Sequence, residues 1–344
     1  MPQPVRLGTP AELSAYTHVD PELNETLFVL PKPKYDLGHP EETILKIRKN
    51  WSSLSPPDPD PAVTETKSTY TTRDGVSQRI QIFRPASAGP DERLPVMVWY
   101  HGGGMCIGSP EMETIKCRQW CLDHRLLVLA PAYRLAPEHK FPVGRDDCWD
   151  AFRHVVRHAS ALHGDLSRGL LLGGESAGAT VASTIALQAR DDISLQSQGV
   201  KVTGVFLSAG SYINPLSPPP EYIPYYLSKT NPTCLAAPFL SGDTVTLFAH
   251  CYAAEETSPF HRASLWPKGL EELPKTYLQA CGMDVNRDDG IVYAEMLAKA
   301  GVEARLDVYE GCPHCFWFLL GETRMGRRWA RETKEGLGWL LGRR

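Results

Sequence analysis

The chain has 344 residues, 42% hydrophobic and 22% charged, which is room for one large domain with an elaboration or for two. A net charge of −4 gives no electrostatic reason to expect nucleic acid or an anionic membrane surface as partner, and no stretch nears the roughly 20 apolar residues of a membrane span. The first thirty residues mix prolines with Glu12, Asp20, Glu22 and Glu25, unlike a secretory leader, so nine cysteines are expected as reduced thiols of a cytoplasmic protein with no stable membrane insertion.

Residues 10–54 read as two short helices split by the connector Pro31-Lys-Pro-Lys34. In the second, Ile44, Ile47 and Trp51 recur at helical spacing beside Lys46, Arg48 and Lys49, which predicts a surface helix with one buried face. Ser55 to Pro61 is a Pro/Asp linker. Val63–Thr72 and Val76–Phe83 flank Asp74-Gly75, a favoured hairpin turn, so an antiparallel pair is expected. From Leu94 the pattern changes to short apolar runs: Val96–Tyr100, Leu126–Ala130, Leu170–Gly173, Val202–Ser208, Thr276–Ala280 and Arg305–Tyr309. Helix-length segments separate most of them, the alternation of a mostly parallel sheet covered on both faces. Arg324–Leu341 reads as a closing amphipathic helix.

One segment breaks the alternation. Tyr212 to Trp266 is rich in proline and in aromatic residues, and connections inside α/β units usually run only about 2–6 residues. It therefore reads as an insertion with its own packing, suited to cover the C-terminal edge of the sheet.

Ligands of an open parallel sheet bind beyond the carboxyl ends of its strands. The run at 96–100 ends in His101-Gly102-Gly103-Gly104, and the Leu170 run in Gly174-Glu175-Ser176-Ala177-Gly178. The Thr276 run ends near Asp284, and the Arg305 run near Cys312-Pro313-His314-Cys315. Serine, acid and histidine thus arrive in the chain order of serine hydrolases with this topology. A serine hydroxyl is a poor nucleophile near neutral pH and needs a base, which His314 supplies. Asp284 would hold that imidazole in one tautomer. The glycines at 102–104 let a backbone expose bare N–H groups to a developing oxyanion.

With these residues in place, the chain resembles the hormone-sensitive-lipase-like branch of the α/β-hydrolases, a family of carboxylesterases and lipases. The resemblance spans roughly 94–318 and rests on His101-Gly-Gly-Gly104, Tyr133-Arg-Leu-Ala-Pro-Glu138 with Phe141-Pro142 and Asp147, Gly174–Gly178, Asp284 with Arg287-Asp288, and His314-x-Phe316. It implies an α/β-hydrolase fold: a mostly parallel sheet of about eight strands flanked by helices, with a helical cap from the N-terminus and an insertion. The matching division is a cap segment at 1–60, a core at 61–211 and 263–344, and a cap or lid insertion at 212–262. It implies Ser176, Asp284 and His314 as the triad, and an oxyanion hole from the amides of Gly103, Gly104 and Ala177. His101 and Glu175 are supporting residues, His101 as a brace of the glycine loop. The chain departs from the family pattern at Glu175 (usually Asp), Ala179-Thr180 (usually Gly-Asn), Val285-Asn286 (usually Pro-Leu) and Cys315 (usually Gly). These changes bear on substrate identity and remove no catalytic group.

Other readings stay open at this point. Asp288 and Asp289 are rival acids, better suited to the first turn of a following helix. Cys312-x-x-Cys315 has the spacing of a thiol oxidoreductase, or is an incidental pair whose oxidation would displace His314. No G-x-G-x-x-G, Walker lysine or zinc-spaced Cys/His set is present, so neither cofactor nor metal is expected. The expected partner is a small to medium apolar or aromatic ester cleaved through an acyl-enzyme, with a homodimer admitted. The alternatives are a lyase, cyclase or acyl-transfer enzyme with the same triad, and a non-catalytic small-molecule receptor, against which the retained His314 argues.

Overall fold

In the computed structural model, which describes residues 7–19, 21–24, 35–52 and 57–343, the apolar runs form the sheet the sequence predicts. Its strands are β1 (Val63–Thr71), β2 (Ser77–Pro85), β3 (Val96–Tyr100), β4 (Leu127–Pro131), β5 (Leu170–Glu175), β6 (Gly204–Ser208), β7 (Lys275–Cys281) and β8 (Ala304–Tyr309). They lie in the order β1-β2-β4-β3-β5-β6-β7-β8. β2 pairs antiparallel with β1 and β4, and β3 through β8 run parallel. The hairpin turns at Asp74-Gly75: Gly75 has φ +86°, and Thr71 faces Ser77.

The helices used below are α1 (Pro10–Ala15), α2 (Pro40–Ser52), α3 (Thr114–His124), α4 (Val143–His158), α5 (Ala177–Asp191), α6 (Gly242–Tyr252), α7 (Arg287–Lys299) and α8 (Arg324–Leu340). Strand periodicity of two divides the core between the faces of the sheet. Val96, Val98 and Tyr100 of β3 join Phe152 of α4, Ile185 of α5 and Val292 of α7. Met97 and Trp99 face the other way, against Trp120 of α3 and Leu337 of α8. Each such large side chain, taken fully out of water, contributes about 1.5–3 kcal/mol.

The inserted segment from Tyr212 carries several helical turns and α6, and α2 packs on α6. N-terminal and inserted segments therefore meet each other as well as the core. Along α2, Ile44 is buried but Trp51 is 43% exposed, so the predicted apolar stripe covers the core only at its N-terminal end. The connector Pro31–Lys34 lies outside the described residues, as does part of the Ser55–Pro61 linker. No helix among the described residues is long and apolar enough to cross a membrane.

Candidate active site

β5 delivers Ser176 to a sharp turn before α5, where its backbone is held at φ 53°, ψ −121°. Sterics dictate the flanking glycines. A Cβ on Gly174 would lie 2.3 Å from the Gly178 backbone, and one on Gly178 would lie 2.1 Å from the Tyr100 carbonyl. Only bare backbone allows strand, turn and helix to pass this closely. The Ser176 amide donates to the Ser208 carbonyl of β6 at 2.8 Å, which fixes the turn to the sheet.

Two loops from neighbouring strands bring the partners. His314 Nε2 lies 2.9 Å from Ser176 Oγ, and its Nδ1 lies 2.5 Å from Asp284 Oδ2. The second carboxylate oxygen of Asp284 accepts from the Asn286 amide at 2.9 Å. A backbone bond from Met283 N to Cys312 O, 2.9 Å, joins the acid loop to the histidine loop. Asp284 is fully buried and His314 is 6% exposed, so the pair is shielded from competing water. A carboxylate bonded to Nδ1 leaves Nε2 to take the serine proton.

The loop after β3 lies alongside. Gly102 stands close enough that an added Cβ would be 3.3 Å from that of Ser176. Gly103 and Gly104 adopt φ +112° and +61°, and the Gly103 carbonyl accepts from the amides of Cys106 and Ile107 at 3.0 and 2.9 Å. This tight turn spends the carbonyl, while the amides of Gly103 and Gly104 donate to no protein acceptor among the described residues. Ala177 is the first residue of α5, where amides lack intrahelical partners. Gly104 faces the Phe248 ring of α6, which a Cβ there would strike at 2.3 Å.

The buried His101 side chain is engaged with this loop and with Tyr133. Its Nδ1–H donates to the Gly102 carbonyl at 2.8 Å, and its ring stacks on Tyr133 at 4.1 Å between centroids. Burial pushes its pKa down to about 4, so the ring stays neutral. Tyr133 in turn donates to the His101 carbonyl at 2.8 Å. Asp147 accepts three bonds from Arg134, at 2.6, 2.8 and 2.9 Å, which ties the 133–138 segment to α4.

Glu175 has a larger neighbourhood than its sequence position suggests. Its carboxylate accepts from Lys116 Nζ at 2.7 Å and Trp317 Nε1 at 2.6 Å. Lys116 also contacts Glu113 at 2.8 Å, and Glu113 accepts from Trp99 Nε1 at 2.7 Å. All three charges are buried, with two carboxylates to one ammonium. Burial pushes the Glu175 carboxyl up against the pull of Lys116. Burial alone would lower Lys116, but its two carboxylate neighbours hold it above its ordinary value. Nothing in the linear sequence marks Glu113, Lys116 or Trp317 as members of one network.

The rival acids are otherwise engaged. Asp289 accepts from Ser211 Oγ, the amides of Tyr212 and Ile213, and Tyr226 Oη, all within 2.8–3.1 Å. Asp288 bonds Arg287 at 2.6 Å and the amides of Leu227 and Ser228 at 2.6 Å each. Both sit in the first turn of α7, as expected, and both anchor the inserted segment. All nine cysteines are buried, and no disulfide forms among the described residues. Burial raises the Cys315 thiol well above its ordinary value, which opposes the thiolate that redox chemistry requires.

A sequence profile of the α/β hydrolase fold matches residues 97–318. An AB hydrolase superfamily protein of Schizosaccharomyces pombe is 31% identical over 334 residues, 95% of either chain. An ethyl acetate hydrolase of Pseudomonas putida is 30% identical over 270 residues, 78% of either chain. Among solved structures, a vibralactone cyclase superposes with a TM-score of 0.83 at 25% identity, covering 95% of this chain and 96% of that one.

Proposed function

Because this chain belongs to the hormone-sensitive-lipase-like carboxylesterase family of α/β-hydrolases, we propose that it hydrolyses carboxylic esters through an acyl-enzyme on Ser176. The observation that supports this reading is the continuous relay Ser176 Oγ–His314 Nε2 at 2.9 Å and His314 Nδ1–Asp284 Oδ2 at 2.5 Å. Ser176 Oγ attacks the ester carbonyl as His314 Nε2 takes its proton. Asp284 steadies the imidazolium that forms. The amides of Gly103, Gly104 and Ala177 receive the oxyanion, and removing one donor of this kind costs about 100- to 1,000-fold in kcat. Collapse expels the alcohol, protonated by His314, and water then releases the acid by the same route.

The Phe248 ring of α6, set against Gly104, favours an apolar or aromatic ester of small to medium size. A second reading keeps the acyl-enzyme and changes its fate: an internal or second nucleophile intercepts it, giving a cyclised or transferred product. The likeness to a vibralactone cyclase favours it. Turnover of a short p-nitrophenyl ester by Ser176→Ala should fall about 10⁴-fold or more, and undiminished turnover would remove the basis of both readings. Mass spectrometry of products from an ester panel separates them: free acid plus alcohol for hydrolysis, a ring or a transferred acyl group for the second.

A further inference from the structure

The Cys106 carbonyl, at the far end of the turn that presents the Gly103 and Gly104 amides, is held by a side chain 58 positions earlier in the chain. Arg48 of α2 donates to it twice, from Nε at 2.9 Å and Nη2 at 2.7 Å. The same Nη2 also donates to the Ala136 carbonyl. Nη1 meets both oxygens of Glu138, at 2.7 and 2.9 Å. Periodicity expects Arg48 among the exposed cations of α2, but its side chain is only 25% exposed.

The two backbone targets belong to one unit. The Ala136 amide donates to the Met105 carbonyl at 2.9 Å, so the 133–138 segment already lies against the loop. Cys106 N donates to Gly103 O at 3.0 Å, closing the turn from within. Arg48 closes it from outside. On the same loop, Cys106 Sγ faces the Phe248 carbonyl of α6 at 3.8 Å, so inserted and N-terminal segments both touch it. The planar guanidinium suits this task because it directs several N–H groups at fixed angles in one plane, which a single ammonium cannot do. An amide dipole misplaced by about 1 Å loses much of its value to a transition state, on the order of 100-fold.

We propose that Arg48 is a positioning residue for transition-state stabilisation: it pins the 103–107 turn so that the Gly103 and Gly104 amides stay aimed at the developing oxyanion. The N-terminal helix then does more than enclose a substrate, because it completes the rigidity of the oxyanion loop. This rests on the proposed role of those amides in ester cleavage.

The test compares Arg48→Lys and Glu138→Gln with wild-type enzyme on p-nitrophenyl butyrate, with kcat normalised to the serine titrated by a fluorophosphonate. Arg48→Lys keeps the charge but cannot hold both carbonyls, so kcat should fall about 10- to 100-fold with KM changed by less than about threefold. Inhibition by an alkyl trifluoromethyl ketone, whose serine adduct carries the oxyanion, should weaken in parallel. Inhibition by a neutral, non-covalent ester analogue should not. Glu138→Gln leaves both carbonyl contacts and should hold kcat within about twofold. Wild-type kcat in Arg48→Lys overturns the proposal, as does a rise in KM alone, which would make α2 merely a wall of the pocket. Should Arg48→Lys fail to fold, Arg48→Gln takes its place, and failure of both to fold overturns it by making Arg48 a stability residue. A wild-type enzyme inactive on every ester, or one as active after Ser176→Ala, would instead defeat the underlying reading.

Discussion

Trp317 Nε1, three positions after His314, donates at 2.6 Å to the carboxylate of Glu175, one position before Ser176. The proposed nucleophile and base thus share a strut through their chain neighbours, in addition to their own contact. Trp317→Phe keeps an aromatic ring but removes the Nε1 donor together with the pyrrole half of the indole. It should cost about 1–2 kcal/mol of stability by denaturant unfolding and lower kcat about tenfold, because the Ser176–His314 distance is no longer held from behind.

The charge balance around Glu175 predicts unequal consequences for two neutralising changes. Lys116→Met leaves the buried carboxylates of Glu113 and Glu175 without their cation and should destabilise by about 3–5 kcal/mol. Glu175→Gln leaves one carboxylate with one ammonium and should cost no more than about 1 kcal/mol. Because burial raises the Glu175 pKa in the folded state, wild-type stability should carry a component that falls as pH rises from the ordinary carboxylate range through that raised value. Glu175→Gln should abolish this component in pH-dependent melts.

His101 gives the opposite pH dependence. Its folded pKa is lowered from 6.5 to about 4, so between those values the unfolded state binds more protons than the folded one. Its contribution is present above pH 6.5 and should be lost as pH falls towards 4, by about 3 kcal/mol. Chemical denaturation across that window checks it, and His101→Gln should flatten the corresponding slope.

Asp284 and Asp289 are separated by function in the proposed mechanism. Asp284→Asn should lower kcat about 10⁴-fold with little change in fold, since the amide no longer fixes the imidazole tautomer. Asp289→Asn keeps an oxygen for the three donors on Oδ1, from Ser211, Tyr212 and Ile213, but turns an amide NH2 towards the Lys229 ammonium and Tyr226 hydroxyl that face Oδ2. It should cost about 2–4 kcal/mol and raise KM as the inserted segment loosens, with kcat largely kept. Steady-state kinetics and thermal unfolding on both variants distinguish the two outcomes.

The expected strand ends and the observed ones differ by no more than two residues, and the hairpin turns where Asp74-Gly75 puts it. The same strand-end argument puts Ser176, Asp284 and His314 on one rim, where they lie within hydrogen-bond reach of one another, because the carboxyl ends of parallel strands share one edge whatever the details of packing. The glycine signals were legible for a similar reason: the close approach of β5, its turn and α5 is a local steric demand that any chain must satisfy with glycine. Trp51 misled, since helical spacing records that a residue can face a partner and cannot say how far along the helix the partner extends.

What the sequence determined by itself was therefore everything set by near neighbours and by the topology they force: the alternation of strands and helices, the turn at Ser176, and the rim on which Ser176, Asp284 and His314 meet. Only the tertiary structure decided that Arg48 reaches Cys106, that Lys116 sits between Glu113 and Glu175, and that Trp317 bonds Glu175. The physical reason is range. Periodicity and turn chemistry act over a few residues, whereas these contacts join groups up to 142 positions apart, by hydrogen bonds that exist only once the core has packed and excluded water.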